Sequence, residues 1–116
     1  MTESYDTKII LETDEYILVS DKSKILYAFF CRNRKKLKLT CINETFELSG
    51  DERLFFAKLL DNRFIRISGC CCINPLFISE YKFNQKQVTM INGTTFHIAN
   101  SFKYIIDKYF ETNENI

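Results

Sequence analysis

The sequence predicts a mainly β domain with one short helix near residues 50–60 and a second helix near residues 101–110. Three observations predict it. Apolar residues are grouped in short runs of alternating or β-forming character, parted by polar turns. Asn92-Gly93 marks a tight hairpin. Only two stretches, after Ser49 and after Ser101, switch to the i, i+3, i+4 spacing of a helix face. The 116 residues fit one domain. A hydrophobic content of 46% with 11 Phe and 6 Tyr supplies one core and excludes a disordered chain. No apolar run approaches the roughly 18 residues of a membrane span.

Lys8–Leu11 reads as a weak strand and Tyr16–Ser20 as the next, ended by the turn Ser20-Asp21-Lys22-Ser23. Lys24–Cys31 is β-favouring and apolar on both faces, as in a strand covered from two sides. In Lys36–Ile42 the alternation puts Leu37, Leu39 and Cys41 on one face and Lys36, Lys38 and Thr40 on the other. Asn43-Glu44 turns the chain, and Thr45–Leu48 returns as the hairpin partner. Ser49 and Glu52 have the S-x-x-E form of a capping box, with Asp51 and Glu52 suited to the positive end of a helix dipole. Phe55, Phe56, Leu59 and Leu60 then form an apolar stripe that stops near Asp61-Asn62.

Phe64–Ser68 alternates again, Gly69 interrupts it, Cys70–Ile73 resumes extended, and Asn74-Pro75 turns the chain. Strands at Tyr81–Asn84 and Gln87–Ile91 flank a connection at Gln85-Lys86. Asn92-Gly93 reads as a type I′ turn, with positive φ at both residues, leading into Thr94–Ile98. Asn100 or Ser101 is the expected cap of a helix whose core face is Phe102, Ile105, Ile106, Tyr109 and Phe110.

The formal net charge of +1 averages over unlike parts. Residues 1–15 hold five acids (Glu3, Asp6, Glu12, Asp14, Glu15) against Lys8, and Glu111 and Glu114 sit at the other end. Residues 16–110 hold 15 bases and 8 acids, a net of +7. The expected organisation is an acidic segment 1–15 with an edge strand, a basic domain 16–110 and a polar tail 111–116. The first residues lack the basic start and apolar stretch of a signal peptide, and five cysteines, an odd number, fit a reducing compartment, so a cytoplasmic protein is expected.

Enzyme chemistry finds little support. His97 is the single histidine and lies on an inferred strand, and Gly50, Gly69 and Gly93 stand apart rather than forming a phosphate loop. Cys70, Cys71 and Cys72 are adjacent, and successive strand side chains point to opposite faces, so they cannot converge on one metal ion. All five cysteines read as small buried hydrophobes. A reactive thiol would need a cation such as Arg66 brought close by the fold. No cofactor, metal, small-molecule substrate or membrane partner is expected. The segment Arg32-Asn33-Arg34-Lys35-Lys36-Leu37-Lys38 instead puts five positive charges and no acid into seven residues between two strands. Such a lobe suits contact with phosphates and, through Arg or Asn, with base edges.

The order of these features resembles the LytTR DNA-binding domain. A β-rich run with a basic turn is followed by a hairpin, a short helix, and Phe64-Ile65-Arg66-Ile67-Ser68-Gly69-Cys70-Cys71-Cys72-Ile73-Asn74. Ile78, a further hairpin and Phe96-His97-Ile98-Ala99-Asn100-Ser101-Phe102 complete it. The family phrases are F-x-R-x-H-R-S-x-x-V-N and a terminal I-S-R with a short helix; Phe64, Arg66, Ile73, Asn74 and Ile98 match, whereas Ser68-Gly69 and Ala99-Asn100 replace polar pairs. The resemblance spans residues 16–110 and implies about ten short strands in small sheets, with loops that enter successive major grooves of double-stranded DNA. It implies contacts from Arg34 and Lys35 of the basic turn, to which the basic segment itself adds Arg32, Asn33 and Lys36, from Ser68 and Gly69, and from Asn100 with Ser101 and Lys103 beside it. The implied function is sequence-specific DNA binding, as a transcriptional regulator or the output domain of a response regulator, with two copies on a repeated site. The alternatives are a LytTR-like module for protein–protein contact and a thiol-based sensor.

Overall fold

The computed structural model describes residues 7–114, so Met1–Asp6 of the acidic segment and Asn115-Ile116 of the tail lie outside the described residues. Among the described residues, ten strands form three antiparallel sheets. β1 (Lys8–Glu12) pairs with β2 (Ile17–Asp21). β3 (Ile25–Cys31), β4 (Lys36–Cys41), β5 (Thr45–Ser49), β6 (Ile65–Ser68) and β7 (Cys71–Ile73) build a central sheet in the order β5-β4-β3-β7-β6. β8 (Ile78–Lys82), β9 (Gln87–Met90) and β10 (Thr95–His97) make the third, in the order β10-β9-β8. α1 (Glu52–Asp61) joins β5 to β6, and α2 (Lys103–Glu114) closes the described chain.

The period of two along the central strands divides the apolar residues between two cores. Ala28, Phe30, Leu37, Leu39, Leu48 and Cys72 are buried with Ile9 and Leu11 of β1 and with Phe55, Phe56 and Leu59 of α1. Ile65, Ile67, Cys71 and Ile73 are buried instead with Val88, Met90 and Ile98, and with Ile106 of α2. Each fully buried Leu, Ile or Phe contributes about 1.5–3 kcal/mol. The alternation of Cys71, Cys72 and Ile73 between the clusters shows that they lie on opposite faces of one sheet, which therefore fixes the β6–β7 loop from both sides. Asn74 is fully buried and donates to the carbonyls of Lys22 (3.1 Å) and Ile25 (2.9 Å), so the turn after β7 is tied to the start of β3.

Tertiary partners override several local expectations. Ser49 is the last residue of β5, opposite Lys36, and the helix cap is Asp51, whose carboxylate accepts the Arg53 N–H at 2.9 Å. Glu52 points to Arg32 instead of closing a capping box. β3 is not covered on both sides throughout: Phe29 is 42% exposed, because the second core lies over β6 and β7. The strand expected at Tyr81–Asn84 begins at Ile78, and Phe83–Gln85 wind into a 3₁₀ turn ended by Lys86 at φ 53°.

At the last hairpin only Gly93 takes positive φ (90°), so the turn is not type I′. Its N–H reaches Met90 O at 2.9 Å while the Met90 N–H reaches Thr94 O at 2.9 Å, a three-residue loop in which the left-handed glycine absorbs an extra residue. Neither Asn100 nor Ser101 caps the last helix; Asn100–Phe102 form a 3₁₀ turn without a side-chain cap, and α2 runs on to Glu114. The cap assignment has a direct check in urea unfolding. Asp51→Ala is expected to cost about 1 kcal/mol, and Ser49→Ala to stay within about 0.5 kcal/mol.

Candidate nucleic-acid interface

The basic turn Arg32–Lys35 closes the β3–β4 hairpin at the Cys31–Lys36 pair, with Lys35 at φ 54°. Its arginines are not alike. Arg32 reaches the Glu52 carboxylate through Nε (3.2 and 3.3 Å) and Nη2 (3.0 Å), and Nη2 also donates to Gly69 O at 3.3 Å. Arg32 is thus a strut between the turn, the N-terminus of α1 and the β6–β7 loop. Arg34 sits 3.4 Å from Glu47, but both side chains are well exposed, and such a pair holds weakly. Lys35, Lys36 and Lys38 form no ion pair among the described residues, and Asn33 is exposed. Lys36 and Lys38 line a cleft with Phe29, Cys31, Arg34 and Glu47, extending the positive surface from the turn onto the open part of the central sheet.

The second loop is built on a β-bulge. Pairing of β6 with β7 slips between Arg66 and Ser68, which takes nearby carbonyls out of the ladder. Arg66 compensates: Nε donates to Ser68 O at 3.3 Å and Nη2 to Gly69 O at 2.7 Å. Its guanidinium lies 4.7 Å from the Phe56 ring centre and 5.8 Å from that of Phe102. Ser68 Oγ accepts the Cys70 N–H at 3.4 Å. Gly69 is exposed, and a methyl group there would come no closer than 3.8 Å to Arg32, so the loop has room at this position.

The third segment is anchored beside it. The Ala99 N–H reaches Ile67 O at 2.9 Å and the Ile98 N–H reaches Lys86 O at 2.8 Å. Lys86 Nζ donates to Asn100 Oδ1. Ser101 is exposed, whereas Lys103 is turned to Asp107 at 2.7 Å. Arg32 therefore joins the basic turn to Gly69, and Arg66 joins Ser68 and Gly69 to the 100–102 turn. Two residues come into this edge that the sequence reading did not place there. Lys86 gives no local signal beyond a tight connection, and in the sequence Arg66 reads as a scaffold match and a cation for a nearby thiol, not as a brace for the loop.

A likeness among solved structures follows the same layout. The chain superposes with a TM-score of 0.67 on the LytTr DNA-binding domain of a protein described as a methyl-accepting/DNA response regulator from Bacillus cereus. The identity is 20%, over 88% of this chain and 94% of that one. The chain has the LytTR fold. No family model and no curated protein sequence matches it.

Within this LytTR fold the cysteines divide into two groups. Cys41, Cys71 and Cys72 are buried, and burial pushes the Cys41 thiol up to about 11, Cys72 up to about 12 and Cys71 higher still. Contrary to the expectation of five buried cysteines, Cys31 and Cys70 are partly exposed. Cys70 follows the bulge, with Sγ 3.7 Å from Ser68 Oγ. Among the described residues no group of three His, Cys, Asp or Glu side chains could hold a metal ion, and no helix is long and apolar enough to cross a membrane. In native protein at mildly alkaline pH, a thiol reagent is expected to modify Cys31 and Cys70 quickly and the other three only on unfolding, as peptide mass mapping would show.

Proposed function

We propose that the chain binds double-stranded DNA through this edge, as a transcriptional regulator or the output domain of a response regulator. The observation that carries the reading is the continuity of three loops, Arg32–Lys35, Ser68–Cys70 and Ala99–Ser101, linked by the Arg32 hydrogen bond to Gly69 O, the Ala99 hydrogen bond to Ile67 O and the Arg66 guanidinium beside the Phe102 ring, on a fold shared with a domain described as DNA-binding. Phosphates would be held by Arg34, Lys35 and Lys36 and, at the far end, by Lys86 and Lys103. Base edges would be met by Asn100, which can read adenine bidentately once Lys86 leaves its Oδ1 for a phosphate, and by Ser68 and Asn33. Gly69 offers a backbone N–H. Two copies on a repeated site in the cytoplasm complete the reading, with residues 16–110 as the binding domain.

A second reading, a module for protein contact, draws on the exposed Ile10, Ile17 and Val19 of the β1–β2 hairpin and on Leu54 of α1. Salt separates the two. Contact with around four to six phosphates gives a Kd of roughly 10⁻⁴–10⁻⁶ M for random duplex near physiological salt, with log K falling at about −4 to −5 per unit log salt. No binding at about 50 mM salt would leave the protein-contact reading standing. Reversing Arg34 and Lys35 to Glu is expected to weaken duplex binding by about 2 kcal/mol or more. The melting temperature should hardly move, since the charges are exposed; a double variant with full affinity removes the turn from the interface.

A further inference from the structure

We propose that Arg66 is a positioning residue that locks the 68–70 loop and the 100–102 turn into a single unit without itself touching DNA. The bulge between Arg66 and Ser68 makes the loop an irregular backbone that the sheet ladder cannot hold. Arg66 lies at the base of that bulge, opposite Cys72, and its side chain folds back onto the two following carbonyls, Ser68 O at 3.3 Å and Gly69 O at 2.7 Å. One fork thus fixes the direction of two consecutive peptide groups, which only a planar guanidinium does with two donors held in a fixed geometry. The same group rests on Phe56 of α1 and near Phe102 of the 3₁₀ turn, so the loop and the turn share one support. Lysine at this position would keep the charge and lose both the fork and the stacking.

The inference rests on the DNA-binding reading for one of its two readouts; the other needs no ligand. In amide hydrogen exchange on the full chain, Arg66→Gln is expected to speed exchange at Cys70 and at Phe102 together by about tenfold or more, with β3 and β4 unchanged. Arg66→Lys is expected to speed both as well. Faster exchange at Cys70 alone, no change at either, or full rescue by lysine would each overturn the proposal.

The second readout uses a duplex enriched from a random pool by the wild-type chain, compared with a random duplex. Both variants are expected to lose about tenfold or more of the preference for the enriched duplex, while the salt slope on random duplex stays at the wild-type value. A slope lowered by about 1 in Arg66→Gln and kept in Arg66→Lys would mark Arg66 as a phosphate contact and overturn the positioning role. If the wild-type chain binds no duplex, the DNA reading fails, and the exchange result alone decides whether Arg66 couples the two segments.

Discussion

The carbonyl of Gly69 accepts from two guanidinium groups, Arg32 at 3.3 Å and Arg66 at 2.7 Å, and the arrangement of the edge depends on that sharing. Two like charges converge on one acceptor only if each is compensated elsewhere. Arg32 has the Glu52 carboxylate, and Arg66 has the Ser68 carbonyl and the face of Phe56. Hydrogen bonds from charged donors are stronger than neutral ones, so a small set of them orders backbone that has no ladder of its own. The bulge that removes regular pairing creates the need for this bracing.

The two cores make the bracing effective. Because β7 carries buried side chains on both faces and β6 buries Ile65 and Ile67 on one, their connecting loop leaves a rigid base, and the 99–102 segment is hydrogen-bonded to the same β6 through Ile67 O. Charge is distributed accordingly. The arginines near the sheet, Arg32 and Arg66, are committed to internal contacts, while Lys35, Lys36 and Lys38 stay free of ion pairs among the described residues. A net of +7 over residues 16–110 therefore overstates what the edge presents, and the phosphate-facing charge belongs chiefly to the turn and the adjoining sheet face.

The strand segments and both helices are legible in the sequence, because burial with a period of two or 3.6 leaves its mark on residues such as Leu37, Leu39, Phe55 and Ile106, whereas the order of the strands within the sheets is not. What escaped was set by partners remote in sequence. Ser49 has the right spacing for a cap, but its pairing with Lys36 claims it for β5, and Glu52 is drawn 20 residues back to Arg32. Asn100 looks like a cap, yet its side chain is held by Lys86. Asn92 fails to reach positive φ because its side chain serves Tyr27 Oη and the Thr94 N–H in a three-residue loop. The basic turn was plain from composition; that one of its arginines is structural was not, since nothing near Arg32 in sequence names Glu52 or Gly69 as partners.

Whether the three loops meet DNA as one surface can be measured residue by residue, by following backbone amide resonances while a short random duplex is added at low salt. The account predicts concerted shifts at Asn33–Lys36, Ser68–Cys70 and Ala99–Ser101, with the outer face of β1 and β2 unaffected. Shifts confined to Ile10, Ile17 and Val19, or none in the three loops, would contradict it.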